Sequence, residues 1–141
     1  MTRFEAAIKA HLHAANGESA LRRFRAIGVA FLTWAIHNPT HFQIISNRSI
    51  IDFEESRLRQ RNDAIRETMH ALMREAQASG HIHTNDLDQT IIAARALGYG
   101  LARMFVDGQF PSWGMDQDAA LRQCIASFDL FLEALARPGA P

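Results

Sequence analysis

The residues able to do chemistry in this chain are seven histidines, one cysteine, scattered carboxylates and a Gly98-Tyr99-Gly100 triplet. His37 and His41 straddle an Asn38-Pro39 step, and His81 and His83 flank an isoleucine in a polar stretch. His11 and His13 are two apart, so on a helix they point in different directions. A strong metal motif sets two histidines four apart on one unbroken helix and adds a third ligand. No pair here does so. Structural or solvated roles are therefore expected for the histidines, with no metal, and His41 is the one best placed to face a pocket. Cys124 falls on an apolar helix face where no cation favours the thiolate, which describes a small core or interface residue rather than a nucleophile. The carboxylates lie on polar faces with no pair aimed at a shared cleft. Gly98-Tyr99-Gly100 follows no strand and is not a phosphate loop, and no hydrolase or kinase signature is present. The expectation is a protein that is not an enzyme and carries no cofactor.

What remains is recognition by shape. Phe31, Trp34, His41, Phe42, Ile45, Met69, Met73, Tyr99 and Arg103 are bulky or adaptable, and they converge from four expected helices. Methionine fills irregular space and lines pockets tolerant of ligand shape. Tyr99 and Arg103, one turn apart, can offer a bound molecule a hydrogen bond and a positive charge. The plain alternative is that each of these is a core residue and the space between the helices is filled.

The chain that must position them has 141 residues, enough for one domain whose core needs no disulfide or metal. Its composition, 48% hydrophobic and 21% charged, is that of a globular protein. Fifteen basic and fifteen acidic residues cancel. A nucleic-acid binder usually carries a positive excess, so no direct contact with nucleic acid is expected. The lone cysteine fits a reducing compartment. No apolar run reaches the roughly 18 residues of a membrane span, and the N-terminus has no signal-peptide core. A cytoplasmic protein with no membrane partner is expected.

Prolines stand only at 39, 111, 138 and 141, and no alternating Val/Ile/Thr run occurs, so the pattern predicts an all-α chain of about six helices. The first, over about 3–15, carries Phe4, Ile8 and Leu12 on one side and stops at Asn16-Gly17. Ser19 caps the second, which runs to about His37. Its apolar arc of Leu21, Phe24, Gly28, Phe31 and Ala35, flanked by Ile27, Ala30 and Trp34, is wide enough to make it central. Asn38-Pro39 ends that helix and starts a third over 39–47, with Asn38 as its cap. Asp52 and Glu55 resemble a capping box for a fourth that stops at Gly80. Its charged half, 54–66, is expected to project into solvent, and its apolar half, with Ile65, Met69, Leu72, Met73 and Ala76, to be buried. Thr84 or Asn85 caps a fifth beginning near Leu87. An aromatic connection over 109–114 then leads to a last helix opened by Asp116 or Asp118. Residues 1–136 form one domain and 137–141 a frayed tail.

The fifth helix has two faces. Leu87, Ile91, Ala94, Gly98, Leu101 and Phe105 follow by steps of three and four, the seam of a helix packed lengthwise against another. Ala94, Gly98 and Ala102 lie four apart and permit close approach. Ile92, Arg95, Tyr99 and Arg103 decorate the opposite face. The seam is expected to pair with the last helix, through Leu121, Ile125, Phe128 and Leu132, and with a second subunit.

Two segments, F-L-T-W-A-I-H-N-P-T-H-F at 31–42 and L-G-Y-G-L-A-R-M-F-V-D-G at 97–108, resemble the C-terminal domain of tetracycline-repressor (TetR/AcrR) family transcription regulators. The first is similar to that family's aromatic helix ending in Asn-Pro. The second is similar to the dimer-forming helix of the subgroup whose motif is Trp, His, Gly. Gly100 and Asp107-Gly108 match it, whereas Arg95 and Tyr99 stand where the motif has Trp and His. The order and lengths of the six helices fit as well, so the resemblance covers nearly the whole chain. It implies a homodimeric effector-sensing domain, its last two helices forming a four-helix bundle with the partner. In that family a separate N-terminal helix-turn-helix reads DNA, and no such pattern occurs here. The expectation is an excised domain, a start-site truncation or a natural protein without a reader. The leading expectation is thus the regulatory domain of a TetR-like repressor that binds a small, largely apolar molecule. Its rivals are an interaction module with a filled core and a helical enzyme or metal protein using His37 and His41.

Overall fold

In the computed structural model, which describes residues 3–47 and 57–139, six α-helices follow in order. They are α1 (Arg3–Ala14), α2 (Ala20–His37), α3 (Pro39–Ser46), α4 (Arg57–Ala78), α5 (Leu87–Val106) and α6 (Ala120–Leu135). Short 3-10 turns, Phe110–Trp113 and Gln117–Ala119, lie between α5 and α6. Among the described residues there is no strand, only an isolated bridge between Ile82 and Ala136. The all-α architecture expected from the sequence is present. The Asp52–Glu55 capping box lies outside the described residues.

α2 is the axle. It packs against each of the other five helices, and Leu21, Phe24, Ile27, Ala30, Leu32, Trp34 and Ala35 are buried round most of its circumference. Leu32 extends the arc beyond the predicted one, because a helix with five neighbours keeps little solvent face. Burying side chains such as Phe24 and Leu32 contributes about 2 kcal/mol each. Ser19 begins the helix as expected, its Oγ accepting from the Arg22 amide at 3.3 Å. On the far side of α2, the Arg25 guanidinium meets the Asp129 carboxylate of α6 twice, at 2.5 and 3.0 Å. Both side chains are about a third exposed or more, so the pair orients α6 more than it stabilises it.

Two caps differ from the predicted ones. Asn38 makes no side-chain cap for α3; its Nδ2 donates to the Trp34 carbonyl at 2.9 Å, closing α2 instead. One side chain between two helix ends can serve only one of them. α5 is capped by Asp86, whose Oδ1 accepts from the Gln89 amide at 3.1 Å, rather than by Thr84 or Asn85. The Thr84 hydroxyl lies 2.7 Å from that of Thr90, and the carboxylate of Asp86 suits the positive end of the helix.

The first half of α4 does not project into solvent. Leu58, Asn62, Ile65 and Met69, at three- and four-residue spacing, turn one stripe of α4 inward, and Arg61 bridges to Glu5 of α1 at 3.0 Å. Arginine stems cover apolar surface while their heads stay wet, so a highly charged segment can still be a wall. Arg137, expected to fray, is held to the segment before α5. Its amide donates to the His81 carbonyl at 2.8 Å and its Nε to the Ile82 carbonyl at 3.3 Å.

Candidate functional site

All six helices line a cavity of about 850 Å³, within the range of pockets that enclose drug-sized molecules. α2 supplies Phe24, Ile27, Gly28, Phe31 and Trp34, and α6 reaches in with Phe128. Phe4 and Ile8 of α1, Phe42 and Ile45 of α3, Leu58, Ile65 and Met69 of α4, and Ala94, Gly98 and Tyr99 of α5 complete the apolar wall. The rings form a chain: Trp34 to Phe4 at 5.0 Å, Phe4 to Phe31 at 5.9 Å, Phe31 to Phe42 at 6.0 Å and Phe42 to Tyr99 at 5.6 Å. Their planes are tilted or edge-on, the arrangement aromatic quadrupoles favour. Such a wall holds an apolar or aromatic body without dictating its exact outline.

The lining also includes polar groups, none of them fully buried. They are Arg3, Glu5, His41, Ser46, Arg61, Asn62 and Arg95. Adjacent residues on a helix point about 100° apart, so Arg61 and Asn62 reach different neighbours. Arg61 pairs with Glu5 on α1 at 3.0 Å, and Asn62 accepts from Arg95 on α5 at 3.1 Å. α4 is thereby clasped to both neighbours beside the cavity.

Of the pocket residues expected from the sequence, Phe31, Trp34, His41, Phe42, Ile45, Met69 and Tyr99 line the cavity. Met73 does not; it is fully buried in the main core. Arg103 does not either; its guanidinium pairs with Asp107 at 3.3 Å. Each step of four drifts about 40° round a helix. Arg95 therefore falls on the cavity side of Tyr99 and Arg103 beyond it, on the outer side. Sequence reasoning missed α1 entirely, and missed Leu58, Arg61, Asn62 and Ile65 of α4. The seven- and four-residue spacing of Leu58, Ile65 and Met69 was the available signal, masked by the charges between them.

The seam of α5 packs inside this chain, on a core shared with α2 and α6. Ile91, Ala94, Gly98 and Leu101, with Phe128 and Leu132 of α6, are buried within this one chain. Leu87, Phe105 and Leu121 pack on the same core, and Ile125 is partly buried. A Cβ on Gly98 would lie 3.7 Å from the ring of Phe31 on α2. The buried members of this seam have no surface left for a second subunit, because α5 spends its apolar face on its own domain. Ala93 and Ala96 of α5 and Ala126, Leu130 and Ala134 of α6 are among the exposed residues, and Gly100 is half-buried.

Elsewhere the candidate chemistry has little geometry behind it. Among the described residues, no three His, Cys, Asp or Glu side chains gather as metal ligands would. His37 and His41 are exposed. Cys124 is fully buried, and burial pushes its thiol up to about 11 from 9.0. The folded protein should accordingly resist iodoacetamide at pH 8 and be labelled only after denaturation. The thiol ionises more easily unfolded than folded. Its effect on stability is therefore absent below pH 9 and appears as a loss while pH climbs towards 11. Denaturation midpoints measured against pH should show that loss in the parent, and the Cys124→Ala variant should lack it.

Among curated proteins none matches this chain. A solved structure of a protein with unknown function from Rhodococcus sp. RHA1 has the same fold. Its TM-score is 0.75 at 23% identity, covering 96% of this chain and 68% of that one. No helix of the described residues is long and apolar enough to cross a membrane. The family described as "Tetracyclin repressor-like, C-terminal domain" matches residues 24–128, from α2 into α6. That span takes in both segments whose resemblance was read from the sequence. Such domains serve transcription regulators in effector binding and dimerisation in general. With more than half of its length matched, this chain belongs to the tetracyclin repressor-like C-terminal domain family.

Proposed function

We propose that this chain is the effector-sensing and dimerising domain of a cytoplasmic TetR-like transcription regulator, and that its effector is a small, largely apolar molecule. The observation that carries the proposal is the cavity of about 850 Å³ with its aromatic wall. Protein interiors are packed to the density of organic crystals, and empty apolar space forfeits dispersion contacts. A domain selected only to pack would fill that space. The cavity therefore favours a ligand over a filled interaction module.

A ligand that prefers one arrangement of α1 and α4 around α2 shifts the population towards it, and the shift passes to any DNA-reading domain joined to α1. A ligand with equal affinity for both arrangements shifts nothing. DNA is contacted only through such a separate domain. The second copy docks on the outer faces of α5 and α6, which present Ala93, Ala96 and Gly100 on one helix and Ala126, Leu130 and Ala134 on the other. Leu130 is 68% exposed, and a Cβ on Gly100 would meet nothing within 4 Å, so this surface is open to close approach.

Light scattering and ligand titration test the two halves separately. The parent should be a dimer, and Gly100→Glu should give a folded monomer. Trp34→Ala should weaken 1-decanol binding at least tenfold. A dimer that survives Gly100→Glu overturns the assigned surface, and equal decanol binding by parent and Trp34→Ala overturns the assigned pocket.

A further inference from the structure

We propose, resting on the effector reading above, that the ligand is an aromatic molecule held by ring–ring contact rather than an aliphatic chain. The chain has nine phenylalanines, two tryptophans and one tyrosine, so rings make up 9% of its residues. Seven of these twelve rings stand among the 23 described residues that line the cavity. Away from the cavity the buried core is built from aliphatic side chains such as Leu21, Leu32, Leu72, Ile82, Ile91 and Leu101. Among the described residues, Phe110 is the one buried ring outside the lining. A cavity for a hydrocarbon chain needs no more than that aliphatic set, since the hydrophobic effect follows the apolar area buried and not its kind. The gathering of rings at the cavity therefore serves a property that aliphatic side chains lack.

That property is the quadrupole, negative on the face of a ring and positive at its edge. The centroids of Trp34, Phe4, Phe31, Phe42 and Tyr99 follow one another at 5.0–6.0 Å, within the span of favourable ring pairs. Their planes are inclined by 44–74° and none lies parallel to the next, so the wall offers edges as well as faces to a ring inserted beside it. An aliphatic chain meets the same wall through dispersion alone. Each further ring pair adds about two- to tenfold in affinity beyond the area it buries. The wall is also stiff, because an aromatic side chain has only two torsions and Met69 is the one methionine in the described lining. A rigid flat ligand and a rigid wall lose little freedom on meeting.

Isothermal titration calorimetry on the full chain compares 2-naphthylmethanol with its trans-decahydro counterpart, and 1-decanol is run beside them. The two bicyclic alcohols are rigid and share one carbon skeleton. The saturated one carries more apolar surface, so area alone favours it. The parent should reverse that order and bind the naphthyl alcohol at least threefold more tightly. Phe31 stands between Phe4 and Phe42 in the chain of rings. Phe31→Leu keeps an apolar side chain there but no ring, and should cut the preference at least twofold. If Phe31→Leu binds neither alcohol, its fold is compromised, and Tyr99→Leu takes its place, removing a ring that is 41% exposed. A parent without the naphthyl preference, or a preference unchanged in the variant that binds, overturns the aromatic ligand. Where 1-decanol still binds, either of those results leaves the effector reading standing. If neither bicyclic alcohol nor 1-decanol binds, both readings are overturned.

Discussion

Replacing Phe42 by alanine is expected to destabilise the folded protein by about 3 kcal/mol, the low end of the range for aromatic truncations in cores. Phe42 is the one buried residue of α3 and is 2% exposed. Its ring stands between Phe31 at 6.0 Å and Tyr99 at 5.6 Å. It also belongs to the smaller cluster with Trp34, Ala35 and Ala102. Truncation removes the transfer free energy of the ring, and each aromatic pair lost adds about 0.5–1.5 kcal/mol. The total stays near the low end because the gap opens into an existing cavity that water can enter. The effect on the site should be as clear as the effect on stability. With its anchor gone, α3 loosens, His41 and Ile45 leave the lining, and affinity for an apolar probe drops. Denaturant unfolding measures the first effect, and Phe42→Leu should recover more than half of it. Ile44→Ala on the exposed side of α3 is the control, with an expected change under about 0.5 kcal/mol. A Phe42→Ala protein within about 1 kcal/mol of the parent would show that α3 is held by something other than this ring.

Gly28→Ala is expected to destabilise by about 1–2 kcal/mol, against the helix-propensity rule. In the middle of α2 an alanine should gain about 1 kcal/mol over glycine. The new Cβ, however, would lie 2.3 Å from Cε1 and 2.5 Å from Cζ of Phe128. Phe128 is 3% exposed, so its ring can retreat only by disturbing its neighbours or entering the cavity that it lines. Overpacking of this kind costs about 1–3 kcal/mol, and it outweighs the propensity gain. The diagnostic result is a change of sign. In a Phe128→Leu background the clash is gone, and Gly28→Ala should become stabilising by up to about 1 kcal/mol. If Gly28→Ala destabilises equally in both backgrounds, the contact between α2 and α6 at this point is not what holds the glycine. Phe128 is also the one side chain of α6 that lines the cavity. Shifting it should alter ligand affinity as well as stability.

Local features of this chain were legible from its residues alone. Ser19 caps α2, and Gly17 and Gly80 take the positive φ expected where helices stop. α2 is central because its apolar arc is too wide for one neighbour, and the all-α class follows from uninterrupted helical periodicity. Seven expected pocket residues line the cavity because bulky side chains on the inner faces of neighbouring helices converge wherever those helices meet.

Tertiary structure decided the rest. Asn38 turned back to α2 because two helix ends competed for it. Arg95 took the place at the cavity expected of Arg103, by a drift of about 40° round α5. The seam through Ala94 and Gly98 was covered by this chain's own α2 and α6, which left Gly100 and Leu130 facing outward. α1 and the charged half of α4 became walls of the site through Phe4, Ile8, Arg61 and Asn62. The physical reason is the same in each case. Periodicity belongs to a single helix and states in which direction its apolar side lies. Which neighbour covers that side, and where the neighbours fail to meet and leave a cavity, depends on contacts between residues far apart in the chain.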